Sequence, residues 1–96
     1  MPRLVCSGPD GEDHEFELNE GEPVSIGRAA ENTVNLGGNG LSRQHAVVCI
    51  YDGLCFVEDL QSSNGTFVDG DAVDRPMVVA IGEVIGCGEL KLTYCE

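Results

Sequence analysis

The residues of this chain that could bind an anion lie in two polar stretches, 27–32 and 37–44. The first contains Arg28, and the second contains Ser42 and Arg43. A guanidinium is a planar fork of donors that suits two-point contact with a phosphate ester. A serine hydroxyl can donate one further hydrogen bond. These residue types could therefore hold a phosphorylated group, provided that the fold brings the two stretches together.

A second chemistry must be weighed at the same place. Ser42, His45 and Asp59 are the ingredients of a hydrolytic triad, and the spacing of Ser42 and His45 lies within the reach of one loop. A triad also needs an oxyanion pocket and a substrate groove, for which a domain of 96 residues offers little room. We therefore expect no catalytic residue and no enzyme activity, and we keep a small hydrolase only as a minor alternative.

Other cofactor and metal sites lack the required spacing. The run Gly37-Gly38-Asn39-Gly40 has neither the Lys-Ser/Thr ending nor the following helix of a nucleotide site, so we interpret it as a flexible loop. The five cysteines form no C-x-x-C pair, and we expect free structural thiols, with Cys49 and Cys55 in the core. The acidic segment 10–22 is interpreted as a solvated hairpin, with His14 exposed to water. We expect no metal and no cofactor.

The charge of the chain excludes two classes of partner. Seventeen acidic residues against five basic ones give a net charge of −12, which disfavours both nucleic acid and anionic membranes. A hydrophobic content of 42% is typical of a folded domain. The length predicts one domain over residues 1–96. No apolar run approaches the roughly 18 residues of a membrane helix, and no leader opens the chain, so we expect a cytoplasmic protein.

Short apolar runs predict the elements that would position these residues. The runs are rich in β-branched and aromatic residues, and none is long and periodic enough for a helix. They are Leu4–Cys6, Phe16–Leu18, Val24–Ile26, Val34–Leu36, Ala46–Tyr51, Leu54–Val57, Phe67–Val68, Met77–Ile81, Val84–Ile85 and Leu90–Tyr94. Asp52-Gly53 and Asp69-Gly70 predict tight hairpins, and Asp10-Gly11 predicts a further turn. The pattern predicts an all-β, two-sheet sandwich of about 10–11 short strands.

Three local motifs on this background resemble the forkhead-associated (FHA) domain, a reader of phosphothreonine peptides. They are Gly27-Arg28, Ser42-Arg43-Gln44-His45 and the segment from Asp59 to Gly70, which contains Ser63-Asn64-Gly65-Thr66. The resemblance extends from Val24 to Tyr94. It implies two packed sheets that carry the ligand loops at one end.

The resemblance also implies roles for single residues. It assigns Arg28, Ser42 and Arg43 to the phosphate, and it assigns Ser63 and Asn64 to the peptide. Gly27, His45 and Gly65 would support the binding loops, with His45 as a buried post that keeps Ser42 aimed outward. Gly40 stands two positions before Ser42, where some members of the family have an arginine that selects an acidic flank.

The sequence thus predicts a non-enzymatic module that binds phosphothreonine proteins. A Ser/Thr kinase acting upstream would create the ligand, and the module would recruit the phosphorylated partner in signalling. The alternative is an FHA-like scaffold that joins an assembly without reading phosphate.

Overall fold

The computed structural model describes residues 1–8 and 11–96, which form ten β-strands. The strands are β1 (Arg3–Ser7), β2 (Asp13–Glu17), β3 (Val24–Ile26), β4 (Ala46–Tyr51), β5 (Leu54–Asp59), β6 (Thr66–Val68), β7 (Asp71–Ala72), β8 (Met77–Val79), β9 (Val84–Cys87) and β10 (Leu90–Cys95). Within the two described ranges, no helix is long and apolar enough to cross a membrane.

The strands form two antiparallel sheets. One has six strands in the order β2-β1-β10-β9-β6-β7, and the other has four in the order β3-β4-β5-β8. The core between them consists of the alternate inward side chains, among which Leu4, Ile26, Val48, Val57 and Leu92 are fully buried. The all-β, two-sheet architecture predicted from the sequence is confirmed.

Two of the predicted hairpins are confirmed. Tyr51 pairs with Leu54 across Asp52-Gly53, and both turn residues have positive φ angles, of 53° and 78°. The same geometry recurs at Asp69-Gly70, which joins β6 to β7. Positive φ at both central residues is typical of a type I′ turn, whose twist matches that of the paired strands. The predicted turn at Asp10-Gly11 falls partly outside the described residues.

Three sequence expectations are wrong in detail. The run Val34–Leu36 forms no strand and contributes a single bridge from Val34 to Ile26. Cys49 is only half-buried, because it alternates with the inward Val48 and Ile50 and so lies on the opposite face of β4. His14 is half-buried on β2 rather than fully solvated. Cys55 does lie in the core.

The register of the four-stranded sheet determines where the binding loops emerge. Ala46 pairs with Ile26 on one side and with Asp59 on the other. The last residue of β3, the first of β4 and the last of β5 therefore form one row across the sheet, at one end of its strands. Residues 27–45 and 60–65, which we call the first and second binding loops, consequently emerge at the same end of the sandwich.

Candidate functional site

The two binding loops border a cleft of about 440 Å³. The cleft contains every residue that the sequence assigned to ligand contact, which are Arg28, Ser42, Arg43, Ser63 and Asn64. Gly40, Leu41 and Gln61 complete the lining. The described residues that line it include no carboxylate, although the chain carries 17 acidic residues.

Backbone contacts fix the two ends of the first binding loop against each other. The Arg28 amide donates to the Ser42 carbonyl over 2.9 Å, and the Ala29 amide donates to the Arg43 carbonyl over 3.2 Å. The buried Asn32 side chain also donates to the Arg43 carbonyl, over 2.7 Å. These three hydrogen bonds place the guanidinium-bearing residue 28 beside residues 42 and 43.

Gly27 permits this close approach. A Cβ at position 27 would lie 2.2 Å from the Arg43 carbonyl oxygen and 2.6 Å from Nδ2 of Asn32. Contacts between a Cβ and other heavy atoms essentially never fall below 3.0 Å. Any larger residue would therefore have to push the two loop ends apart. Gly27 supports the loop through its lack of a side chain.

Ser42 and Asn64 connect the first binding loop to the second. Oγ of Ser42 accepts a hydrogen bond from the Ser63 amide over 2.9 Å. Since that oxygen is used as an acceptor, its own O–H remains available as a donor. Nδ2 of Asn64 donates to the Gly40 carbonyl over 3.0 Å. This contact orients the amide group of Asn64 and leaves its oxygen as an acceptor at the cleft.

His45 joins both loops from below the cleft and is fully buried. Its Nδ1 accepts a hydrogen bond from the Ser42 amide over 3.0 Å, and its Nε2 lies 2.8 Å from the Gly65 carbonyl oxygen. A carbonyl only accepts, so the ring carries its proton on Nε2 and presents a bare Nδ1 to Ser42. Gly65 itself has a φ of +86°, a conformation that favours glycine.

The hydrolase alternative lacks its geometry. Both ring nitrogens of His45 are engaged by backbone groups, so neither is directed at the Ser42 hydroxyl. A nucleophile without a base in hydrogen-bond reach has no means of activation. Within residues 1–8 and 11–96, no group of three or more His, Cys, Asp or Glu side chains is placed to hold a metal ion.

Asp59 organises the second binding loop from the end of β5. Its carboxylate accepts from the Ser62 hydroxyl over 2.5 Å, from the Thr66 hydroxyl over 2.7 Å and from the Ser62 amide over 3.1 Å. Burial acts to raise the pKa of this carboxyl. The three hydrogen bonds outweigh burial and hold the pKa of Asp59 below its ordinary value.

The sequence reasoning missed several of the residues that hold the loops. Asn32 and Ser62 were not predicted. Ser62 follows Asp59 by three positions, a spacing at which Asp and Ser side chains often form local hydrogen bonds, so this pair could have been predicted. Gly88, in the turn between β9 and β10, is a further case. A Cβ there would lie 2.6 Å from the Asn39 carbonyl oxygen, so this turn lies directly against the first binding loop.

The two arginines of the cleft have no acidic partner among the residues that the structure describes. Nε of Arg28 donates to the Leu41 carbonyl over 3.3 Å, which leaves its terminal nitrogens as donors. In the described part of the chain, ion pairs are formed by Arg3 with Glu15 and by Arg75 with Asp74. No carboxylate of that part pairs with Arg28 or Arg43. Two unpaired guanidinium groups thus stand together in a strongly acidic protein.

Fold and cleft together define an all-β sandwich that carries a cationic cleft on loops at one end. A profile of the FHA domain matches residues 24–88, so the chain belongs to the FHA-domain family. This confirms the resemblance that the sequence predicted.

Relatives and solved structures agree with this membership. FhaB of Mycobacterium tuberculosis, an FHA domain-containing protein, is 37% identical over 71 residues, which are 74% of this chain and 46% of FhaB. The chain thus spans about half the length of that relative. The FhaA FHA domain, in complex with the intracellular domain of Rv3910, superposes with a TM-score of 0.82 at 28% identity, covering 98% of this chain and 99% of that one. The FHA domain of CT664 from Chlamydia trachomatis gives a TM-score of 0.89 at 26% identity, covering 99% and 96%.

Proposed function

We propose that this domain binds phosphothreonine peptides in the cleft between its two binding loops and does so without catalysis. The observation that carries the proposal is the pair of guanidinium groups beside the Ser42 hydroxyl, which pair with no described carboxylate and stand in a cleft whose described lining contains no acid. A phosphate dianion supplies the opposite charge and the acceptor oxygens that these donors lack. Membership of the FHA family and the FhaA complex support the same function.

The placement of each side chain supports the roles that the family resemblance implies. Arg28 and Arg43 bind the phosphate oxygens, and Ser42 donates its hydroxyl to a third. Asn64, held by the Gly40 carbonyl, bonds the main chain of the peptide beside Ser63. Gly27, His45 and Gly65 keep these groups in register through backbone contacts. A γ-methyl packed against the loops would favour threonine over serine by about fourfold.

The overall charge of −12 opposes an anionic ligand only weakly. The screening length at physiological salt is about 8 Å, so distant carboxylates are damped while the two arginines act at contact. Hydrogen bonds to charged groups contribute about 1.5–3 kcal/mol each. The local attraction therefore exceeds the screened repulsion.

Two variants test the proposal against a degenerate phosphothreonine peptide library. Arg28→Ala should weaken binding by at least about tenfold, because a charge-assisted contact is lost. Arg3→Ala is the matched control, since it removes the same charge from a residue of β1, in the other sheet, that does not line this cleft. Equal effects of the two variants, or no binding by the unaltered domain, would overturn the proposal. Binding that survives phosphatase treatment would favour the phosphate-independent scaffold.

The cellular role is also part of the proposal. A Ser/Thr kinase creates the ligand, and the domain recruits the phosphorylated protein. The cytoplasmic location stays a prediction, which five free cysteines support, because thiols persist in a reducing compartment.

A further inference from the structure

The outward side of the four-stranded sheet is unusually apolar. We call outer apolar face the outward side chains of β4, β5 and β8 other than Glu58; these are Val47, Cys49, Tyr51, Leu54, Phe56 and Val78. They form continuous rows, because Tyr51 pairs with Leu54 while Phe56 pairs with both Cys49 and Val78. Tyr51 is 69% exposed, and Leu54 and Val78 are each 50% exposed.

Strands β1 and β2 of the other sheet show the usual pattern of a face in contact with water. On their outward side Arg3 pairs with Glu17, and Ser7 pairs with Asp13. That is the usual alternation of an antiparallel sheet with one face in water. β4 and β5 instead read as almost continuous apolar runs, a pattern typical of strands that are covered on both faces. We infer that the outer apolar face is covered in the functional complex.

A continuous path leads from the cleft to this face. Gln61 lines the cleft and also a second cavity of about 390 Å³. That cavity is lined further by Glu58 and Asp74 among others, and Glu58 is the outward residue of β5 next to Phe56. A peptide that leaves the cleft would therefore pass Gln61 and Glu58 before it reaches the outer apolar face.

The distances along this path suit a short extended peptide. Three residues separate the Ala46–Asp59 row at the cleft from the Cys49–Phe56 row, which is about 10 Å at roughly 3.4 Å per residue. An extended peptide spans about 3.3 Å per residue. From the Ala46–Asp59 row, roughly three extended residues would thus pass Glu58 and reach the Cys49–Phe56 row, and roughly five to eight residues would cover the face.

Charge and area decide which occupant fits. The second cavity contains three acids, Glu58, Asp59 and Asp74, and one base, Arg75, which pairs with Asp74. A basic side chain of the bound segment would complement this acidic cavity. A second copy of the domain would instead bring another net charge of −12 against the first. The face measures about 14 Å by 14 Å, or about 200 Å², from strand spacing and rise, whereas a specific dimer buries at least about 600 Å² on each partner.

We propose that the outer apolar face binds the segment of the phosphorylated partner that flanks its phosphothreonine. That segment carries Lys or Arg within about three residues of the phosphothreonine and apolar residues beyond. This proposal rests on the proposed function, because the phosphate site anchors the segment. Once anchored, the flank binds at a high effective concentration, so a face of this size suffices.

Matched peptides test the proposal by calorimetry. A core peptide has two residues on each side of phosphothreonine, and long versions add a lysine at the third position, with five apolar residues beyond it, on the N-terminal or the C-terminal flank. One long version should bind about tenfold tighter than the core, as expected for covering two half-exposed aliphatic side chains. Val78→Ser and Leu54→Ser should each remove about threefold to fourfold of that gain and leave core binding unchanged. Val84→Ser, on the outward side of the other sheet, is the control and should change neither.

The outcomes separate the two proposals. Core binding without any gain in either long version overturns this inference alone, and so does a gain that Val78→Ser and Leu54→Ser leave intact. A core peptide that fails to bind overturns the proposed function as well. Sedimentation velocity on the unaltered domain provides the remaining check. A dimer that Leu54→Ser dissociates would assign the face to a second copy and overturn the inference.

Discussion

Replacing Gly27 with alanine should separate the two ends of the first binding loop. The new Cβ would lie 2.2 Å from the Arg43 carbonyl oxygen, far inside the 3.4–4 Å of ordinary van der Waals contact. Relieving an overlap of this kind costs about 1–3 kcal/mol. The shift also weakens the two hydrogen bonds that the Arg43 carbonyl accepts, from the Ala29 amide and from Asn32, at about 1 kcal/mol each. The free energy of unfolding should fall by about 3–5 kcal/mol.

Thermal and urea unfolding followed by circular dichroism measure this loss. For a domain of this size, about 1 kcal/mol corresponds to about 4–8 °C in Tm, so Gly27→Ala should lower Tm by about 10 °C or more. Gly86→Ala is the matched control, because its Cβ would meet nothing nearer than the Phe67 carbonyl oxygen at 4.0 Å. Affinity for phosphothreonine peptides should fall in Gly27→Ala alone. Equal Tm values for the two variants would refute the role of Gly27 in the close approach.

Three further predictions concern ionisation and charge. The lowered pKa of Asp59 stabilises the fold above the ordinary carboxyl range near pH 4, and this stabilisation is lost as pH falls through the lowered value; Asp59→Asn should lack that part of the acid dependence in urea unfolding at pH 2–6. Burial raises the pKa of the Cys55 and Cys87 thiols to about 12, so both should resist a thiol reagent at pH 8 until the domain is unfolded. Labelling of these thiols in the folded domain as fast as an exposed cysteine would contradict this. The association rate for a phosphothreonine peptide should change little, or rise, between low and moderate salt in stopped-flow measurements, because salt screens the net repulsion; a steep fall would show that attraction dominates at long range.

The sequence predicts well what is decided locally. Asp52-Gly53 and Asp69-Gly70 are turns because these residues tolerate positive φ, and the neighbouring apolar runs form strands on either side. Which face a residue occupies depends on strand parity, which a continuous apolar run such as Ala46–Tyr51 does not reveal. Cys49 was therefore placed in the core, although it faces outward.

The arrangement of the site was predictable only in part. Sequence motifs named the five residues that the fold brings to one cleft. Gly27, His45 and Gly65 were predicted to support the loops, whereas Asn32 and Gly88 were not, because their partners are distant in sequence. Asn32 donates to a carbonyl 11 positions away. Gly88, in the turn between β9 and β10 of the six-stranded sheet, lies against Asn39 of the first binding loop. Such contacts form only when the chain has folded.

The most direct test of the central claim is a titration of the 15N-labelled domain with a phosphothreonine peptide, followed by amide chemical shifts. The account predicts the largest changes at residue 28, residues 40–43 and residues 61–64, and no such changes with the unphosphorylated peptide. Changes centred elsewhere on the sandwich, or identical changes with both peptides, would contradict it.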